Sequence, residues 1–178
     1  DRHQFEAGEF VFGGTGACLL MSRECVVDLC IPQSVSNEDV WEIYPQLRVG
    51  AHERPQLFDE AFFAYREDAD LSWRAKLRGW RCWYEPAARA NHVRVVTPER
   101  RASLPDILNR YSVRNRFLLQ LNNWRWRDGL IFFIWGIVVR NIVVIVGVFI
   151  WEKSSIQGLR EARKLTKRAL QIRRWIHS

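Results

Sequence analysis

The sequence predicts an α/β domain with an incomplete sheet, followed by helices that associate with a membrane. Three observations carry this. Apolar runs bounded by glycine or proline at residues 9–21 and 80–84 read as strands. Between them, residues 67–78 have acids in the first turn, bases in the last and a glycine stop, the pattern of a capped helix. From residue 130 an apolar run is followed by a basic amphipathic tail.

Residues 9–21 (EFVFGGTGACLLM) are two apolar runs around Gly13-Gly14-Thr15-Gly16, predicting strand, tight turn, then strand or buried segment. No Gly-Lys-Ser/Thr follows, so the turn is not a phosphate-cradling P-loop. Residues 31–56 are polar and interrupted by Pro32, Pro45 and Pro55, which predicts a long irregular surface insertion. Glu67, Asp68 and Asp70 open the next helix; Arg74, Lys76 and Arg78 close it before Gly79. Another helix is predicted from Ser103, with Asp106 three residues on, to about Asn123, with Ile107, Leu108, Tyr111, Leu118 and Leu121 as its apolar stripe.

Residues 130–151 (LIFFIWGIVVRNIVVIVGVFIW) are long enough to span a bilayer, but Arg140 and Asn141 fall at the middle. Basic residues also crowd both flanks, so a single span strands one of them on the wrong side. A break at Arg140-Asn141, giving a shallow hairpin or two interfacial helices, is favoured over a span. In the tail, Leu159, Ala162, Leu165, Ala169, Ile172 and Ile176 recur at helical steps opposite a face of Arg and Lys. That predicts a helix in the headgroup plane, with a helix packed on its own domain as the competing reading.

The formal net charge is +7, which favours an anionic partner. Because the basic residues adjoin apolar stretches and Trp, an anionic lipid surface suits them better than nucleic acid, and none is expected. Cys18, Cys25, Cys30 and Cys82 have no C-x-x-C pair and read as reduced, mostly buried thiols of a reducing compartment. The chain opens directly on a strand-like run, which suggests an N-terminal part lies upstream.

The polar chemistry concentrates between Phe58 and His92 (FDEAFFAYREDADLSWRAKLRGWRCWYEPAARANH). Glu67-Asp68 stands where an apolar run turns into a helix, and the positive end of a helix favours a negative side chain there. A base that takes a proton from a sugar hydroxyl needs a carboxylate at an element end, open to a cleft; first-turn acids are also ordinary capping.

This block resembles family 2 glycosyltransferases of the rhamnosyltransferase and galactofuranosyltransferase kind, as FDE-x-FF-x-Y-x-ED-x-DL-x-x-R-x-x-x-x-GW, then Y-x-P-x-A and a His. GGTGACLLMSRE resembles their G-x-G-A-x-x-L-x-x-R segment, and RYSVRNRF their Y-x-x-R-N helix. The resemblance implies the C-terminal part of a GT-A catalytic domain over residues 1–101, a helical extension over 102–128, and a membrane-associated apolar segment with basic helix over 129–178. It implies an inverting transfer of a sugar from a nucleotide-diphosphate donor to a glycan or lipid-linked acceptor, at the cytoplasmic face of the cell membrane. Asp68 matches the catalytic base and Glu67 its support. Gly14, Gly16, Asp59, Arg74 and Arg114 match substrate-side positions. His92 matches a ligand of a divalent cation, Mg or Mn, held mainly by a D-x-D expected upstream together with the nucleotide-binding half. A membrane-anchored scaffold that keeps the fold without turnover is the alternative.

Overall fold

The computed structural model describes residues 6–50, 55–91, 106–125 and 129–178. Of the described residues 59% are helical, and among them one small antiparallel sheet forms. The sheet joins β1 (Glu9–Val11) to β2 (Cys82–Tyr84) through the pairs Glu9↔Tyr84, Phe10↔Trp83 and Val11↔Cys82. Of the two forms expected after the glycine turn, the strand does not form; residues 17–21 run irregularly as a packed segment, with Leu19 and Met21 inward and Leu20 fully outward. The α/β expectation is therefore met only by a ribbon beside a helical body.

Helix α1 (Arg23–Leu29) starts at Ser22, whose Oγ accepts from the Cys25 amide at 3.2 Å, and buries Cys25 and Leu29 against Leu71. Helix α3 (Glu67–Leu77) supplies Leu71 to that cluster. Just past its end, Arg78 donates from Nε and Nη2 to Asp28 of α1, and Trp80 Nε1 donates to the same carboxylate at 2.8 Å. Those donors, Arg78 first, hold Asp28 below the usual aspartate range. The Arg78 guanidinium also lies over the Trp175 ring, 5.2 Å from its centroid, joining this corner to the C-terminal helix.

Helix α4 (Asp106–Asn123) is the central pillar. Its Tyr111 and Leu118 share one core cluster with Val40, Tyr44, Ala61, Phe62, Leu165 and Ala169. Val40 and Tyr44 come from the 31–56 stretch, which corrects its reading as a surface insertion. It forms α2 (Glu38–Ile43) and a short 3-10 turn (Pro45–Arg48), is tied at its base by an Ile31–Gln56 bridge, and buries Ile31, Val35, Val40 and Tyr44. Pro32 is half-buried, and Pro45, though exposed, opens the short 3-10 turn.

The tail is corrected too. Helices α7 (Ile156–Lys164) and α8 (Thr166–Ile176) lay their apolar face on the protein: Ala162, Leu165, Ala169, Ile172 and Ile176 are all buried. The helical spacing holds, but α4 and the 31–56 segment cover the stripe instead of lipid. Gly158 permits the close approach, since a Cβ there would lie 2.5 Å from the Arg110 carbonyl oxygen.

Residues 130–150 form one continuous helical rod: α5 (Leu130–Phe132), a π-helical stretch (Phe133–Val139) and α6 (Arg140–Ile150). The expected break at Arg140-Asn141 does not occur; the irregularity is the π stretch ahead of it. Phe133–Ile150 is long and apolar enough to cross a membrane, and almost none of it is buried. Asn141 holds it to the body, donating to Gln120 Oε1 at 2.7 Å and accepting from Arg116 Nε at 3.0 Å. Val148 is buried as well, while Ile142, Val143, Val146, Phe149 and Ile150 are exposed. All four cysteines are free thiols, but only Cys25 is buried and Cys18 is exposed, short of the expected burial.

Candidate functional site

The carboxylate pair sits on strained backbone. Phe63, Tyr65 and Arg66 have φ of 59°, 69° and 69°, left-handed conformations that non-glycine residues adopt at a cost of about 1–3 kcal/mol each. They persist because α4 holds the loop by its carbonyls. Asn115 Nδ2 donates to the oxygens of Phe62 at 2.9 Å, Ala64 at 2.7 Å and Tyr65 at 2.7 Å. Arg114 Nη2 adds a bond to the Phe62 oxygen at 2.6 Å. The chain then turns directly into α3, presenting Glu67 and Asp68 in its first turn.

The acids of this region divide into two groups. Asp59 and Asp70 are buried. Asp59 accepts from the Ala61 amide, Asn122 and Arg168, and Asp70 from Arg74, Asn122 and Asn123, so Asn122 links the two. Glu67 and Asp68 are only half-buried. Asp68 Oδ1 accepts from the Ala69 amide at 2.7 Å, and its Oδ2 accepts from the Gly16 amide at 3.3 Å. One turn on, Ser72 Oγ donates to the Gly14 oxygen at 3.3 Å. The glycine turn thus lies along the face of α3 that carries positions 68 and 72. Gly13 shows how closely, because a Cβ there would fall 2.2 Å from the Ser72 Cβ. Among the described residues, the buried Glu67 Oε2 has no hydrogen-bond partner.

Three expected substrate contacts lie elsewhere. Asp59, Arg74 and Arg114 are enclosed in the protein interior. Arg74 donates to Asp70, the Leu29 oxygen and the Leu57 oxygen. Arg114 bonds Asn115, Glu161, the Phe62 oxygen and the Tyr44 hydroxyl. Burial pushes the Tyr44 phenol up to about 12, so it stays protonated beside the guanidinium. With these atoms taken up by protein partners, the three residues brace the loop and helix under the carboxylate pair instead of facing a ligand. Gly16 stands beside Asp68 and Gly14 beside Ser72 one turn on; His92 lies outside the described residues.

Comparison with family models, curated proteins and solved structures finds no match.

A divalent cation finds no donor set here: among the described residues no three His, Cys, Asp or Glu side chains are grouped to hold one. The described residues offer a half-buried, hydrogen-bonded carboxylate at Asp68, a backbone turn against it and a second carboxylate beside it in the chain. That arrangement can take a proton from a hydroxyl and orient the group that carries it. Sequence reasoning missed Ser72 and Asn115. Ser72 was legible as the i+4 neighbour of Asp68. Asn115 lay inside the Y-x-x-R-N motif, but its task is to hold carbonyls of a distant loop, which no local pattern announces.

Proposed function

We propose that this chain carries the acceptor side of an inverting glycosyltransferase of the family 2 kind, working at the cytoplasmic face of a membrane. The observation that supports it most is the Gly16 amide bonded to Asp68 Oδ2, which brings the glycine turn and the ED pair, remote in sequence, onto one edge. In the reaction, the acceptor O–H gives its proton to Asp68 as the oxygen attacks the anomeric carbon. The new C–O bond forms as the bond to the nucleotide diphosphate breaks on the opposite face; the electron pair leaves with the diphosphate and the configuration inverts. Glu67, beside it at the start of α3, supports Asp68. A GT-A domain, its upstream nucleotide-binding half and a Mg or Mn ion belong to this reading, and no step here is routed through the metal.

The rod at residues 130–150 supplies the membrane contact, lying in the plane of the bilayer surface. Asn141, midway along it, bonds Gln120 and Arg116 of α4. A perpendicular span would carry those α4 groups to the bilayer centre, where an arginine alone costs about 2.5–3.5 kcal/mol. An in-plane rod keeps them at the wet boundary and buries its outward stripe in acyl chains. Such a placement suits a lipid-linked or growing surface glycan as acceptor.

Incubating the full-length polypeptide with a panel of labelled nucleotide sugars and membrane extract, with Mg²⁺ or Mn²⁺, tests the reading. Transfer of label from one donor class to a lipid- or glycan-containing fraction is expected. Absence of transfer from every donor contradicts it.

A further inference from the structure

A cleft of about 1080 Å³ opens where the C-terminal ends of α3 and α8 come together. That volume suits a site able to enclose a drug-sized molecule. The cleft stands at the far end of α3 from the carboxylate pair, about 15 Å along the helix axis from Asp68. Among the described residues that line it, Asp28 is the one acid, while Arg78, Arg173 and Arg174 are all on its wall. Arginine beside the carbonyl end of a helix is ordinary, and Arg78 serves that purpose. Its Nη1 donates to the Trp175 oxygen at 3.4 Å, and its Nε and Nη2 clasp Asp28. The acid is thereby neutralised. Arg173 gives only Nη1, to the Leu121 oxygen at 3.5 Å, and Arg174 has no hydrogen bond or ion pair among the described residues. Two guanidinium charges thus face one cavity with no acid of the described residues set against them.

The chemistry of the wall narrows the occupant. Guanidinium forks match phosphate oxygens in geometry as well as charge. Beside them the wall is aliphatic: Leu77 and Ile176 belong to one apolar cluster, and Leu170 is 41% exposed. No Phe, Tyr or Trp of the described residues lines the cleft. A nucleobase has no ring to stack on there, whereas an alkyl chain has a surface to lie along. Position favours a lipid as the source. Arg125 also lines the cleft, and the ring of Trp124 before it packs on Phe133 of the rod, centroids 5.8 Å apart. The cleft therefore opens close to the start of the rod, at the bilayer surface when the rod lies in plane.

We propose that this cleft binds the phosphate head of a membrane lipid between Arg173 and Arg174, with the first part of the lipid's apolar chain along Leu77, Leu170 and Ile176. The proposal rests on the in-plane membrane placement above and on no step of sugar transfer. A lipid held here gives the body of the protein a second attachment to the bilayer beside the rod, at the opposite end of α3 from Asp68. A phosphomonoester head suits it best, because its oxygens are open to both guanidinium forks.

Flotation of the full chain with three vesicle types tests it: phosphatidylcholine alone, phosphatidylcholine with phosphatidic acid, and phosphatidylcholine with phosphatidylserine at matched surface charge. The chain is expected to bind neutral vesicles through the rod and to prefer phosphatidic acid over phosphatidylserine. Arg174→Gln, an exposed position, and the double variant Arg173→Gln/Arg174→Gln should lower that preference by about fivefold per arginine, with neutral binding intact. Arg160→Gln/Arg163→Gln removes the same charge from exposed positions of α7 outside the cleft and should keep the preference. Calorimetry with soluble dihexanoyl-phosphatidic acid and with inorganic phosphate reads the cleft without a membrane, and the lipid should bind more tightly. Failure to bind neutral vesicles contradicts the in-plane rod, whereas failure to bind dihexanoyl-phosphatidic acid contradicts the cleft, so the two are separable. Inorganic phosphate bound as tightly as the lipid assigns the anion to a soluble source and overturns the lipid proposal. Equal binding to both acidic vesicles, or an equal loss in the α7 variant, overturns it outright.

Discussion

The Gly16 amide donates to Asp68 Oδ2 at 3.3 Å across 52 residues of sequence. This bond, with the Ser72–Gly14 bond beside it, fastens a glycine turn to the first two turns of α3 and defines one side of the candidate site.

Gly13 marks how tightly the turn is pressed on. Gly13→Ala should destabilise the fold by about 1–3 kcal/mol, because the new methyl collides with the Ser72 side chain. Ser72→Gly in the same chain should recover most of that loss. Thermal unfolding of the single and double variants gives the coupling; additive effects would show that the two positions are not in contact.

Asn115 holds the strained loop. Asn115→Ala leaves the Ala64 and Tyr65 carbonyls without this donor and the Phe62 carbonyl with Arg114 alone, and should cost about 2–4 kcal/mol in denaturant unfolding. Hydrogen exchange should rise at residues 62–66 before it rises in α4. A uniform change across the chain would mean the amide does not specifically restrain that loop.

Arg168 links the C-terminal helix to Asp59 at 2.6 Å, both side chains nearly inaccessible. Arg168→Met strands a buried carboxylate and should cost about 3–5 kcal/mol; adding Asp59→Asn should restore part of it. Detergent-solubilised protein is the right sample, since the effect is internal packing. Were α8 a helix of the headgroup plane, the substitution would alter lipid binding and leave the melting temperature unchanged.

Asp28 gives an acid-side signature. Its folded-state pKa is depressed, chiefly by hydrogen bonds from Arg78 and then Trp80, so its contribution is present above the ordinary aspartate range near about 4. That contribution fades as pH falls through the lower, folded-state value. Because the pair is partly solvated, Asp28→Asn should cost only about 1 kcal/mol at neutral pH. Melting curves of the parent chain and the variant should converge at low pH; a constant gap would remove the carboxylate's charge as the cause.

Local signals in the sequence were read well where one element explained itself. The acid-to-base gradient located α3 to within a residue of its end, and the apolar stripe located α4. Reading failed where two environments share one pattern. Leu165, Ala169 and Ile172 repeat identically whether lipid or α4 covers them, so the tail was assigned to the wrong partner. Segment 31–56 looked like exposed chain because its prolines and polar residues outnumber Val35, Val40 and Tyr44, the few that anchor it. Within the site, first-turn acids were visible, yet their sorting into bracing and open groups was not. Asp59 and Asp70 differ from Glu67 and Asp68 by partners such as Asn122 and Arg168, which arrive from remote helices.

The central claim is that the Asp68 carboxylate removes the acceptor proton. Its most direct test is the rate of sugar transfer by full-length Asp68→Asn protein, with circular dichroism and vesicle binding measured on the same preparation. The amide keeps the side chain's shape but is a far weaker base, so transfer should fall by about 10²–10⁴-fold with fold and membrane binding unchanged. Transfer at the parent rate in a folded variant would contradict it.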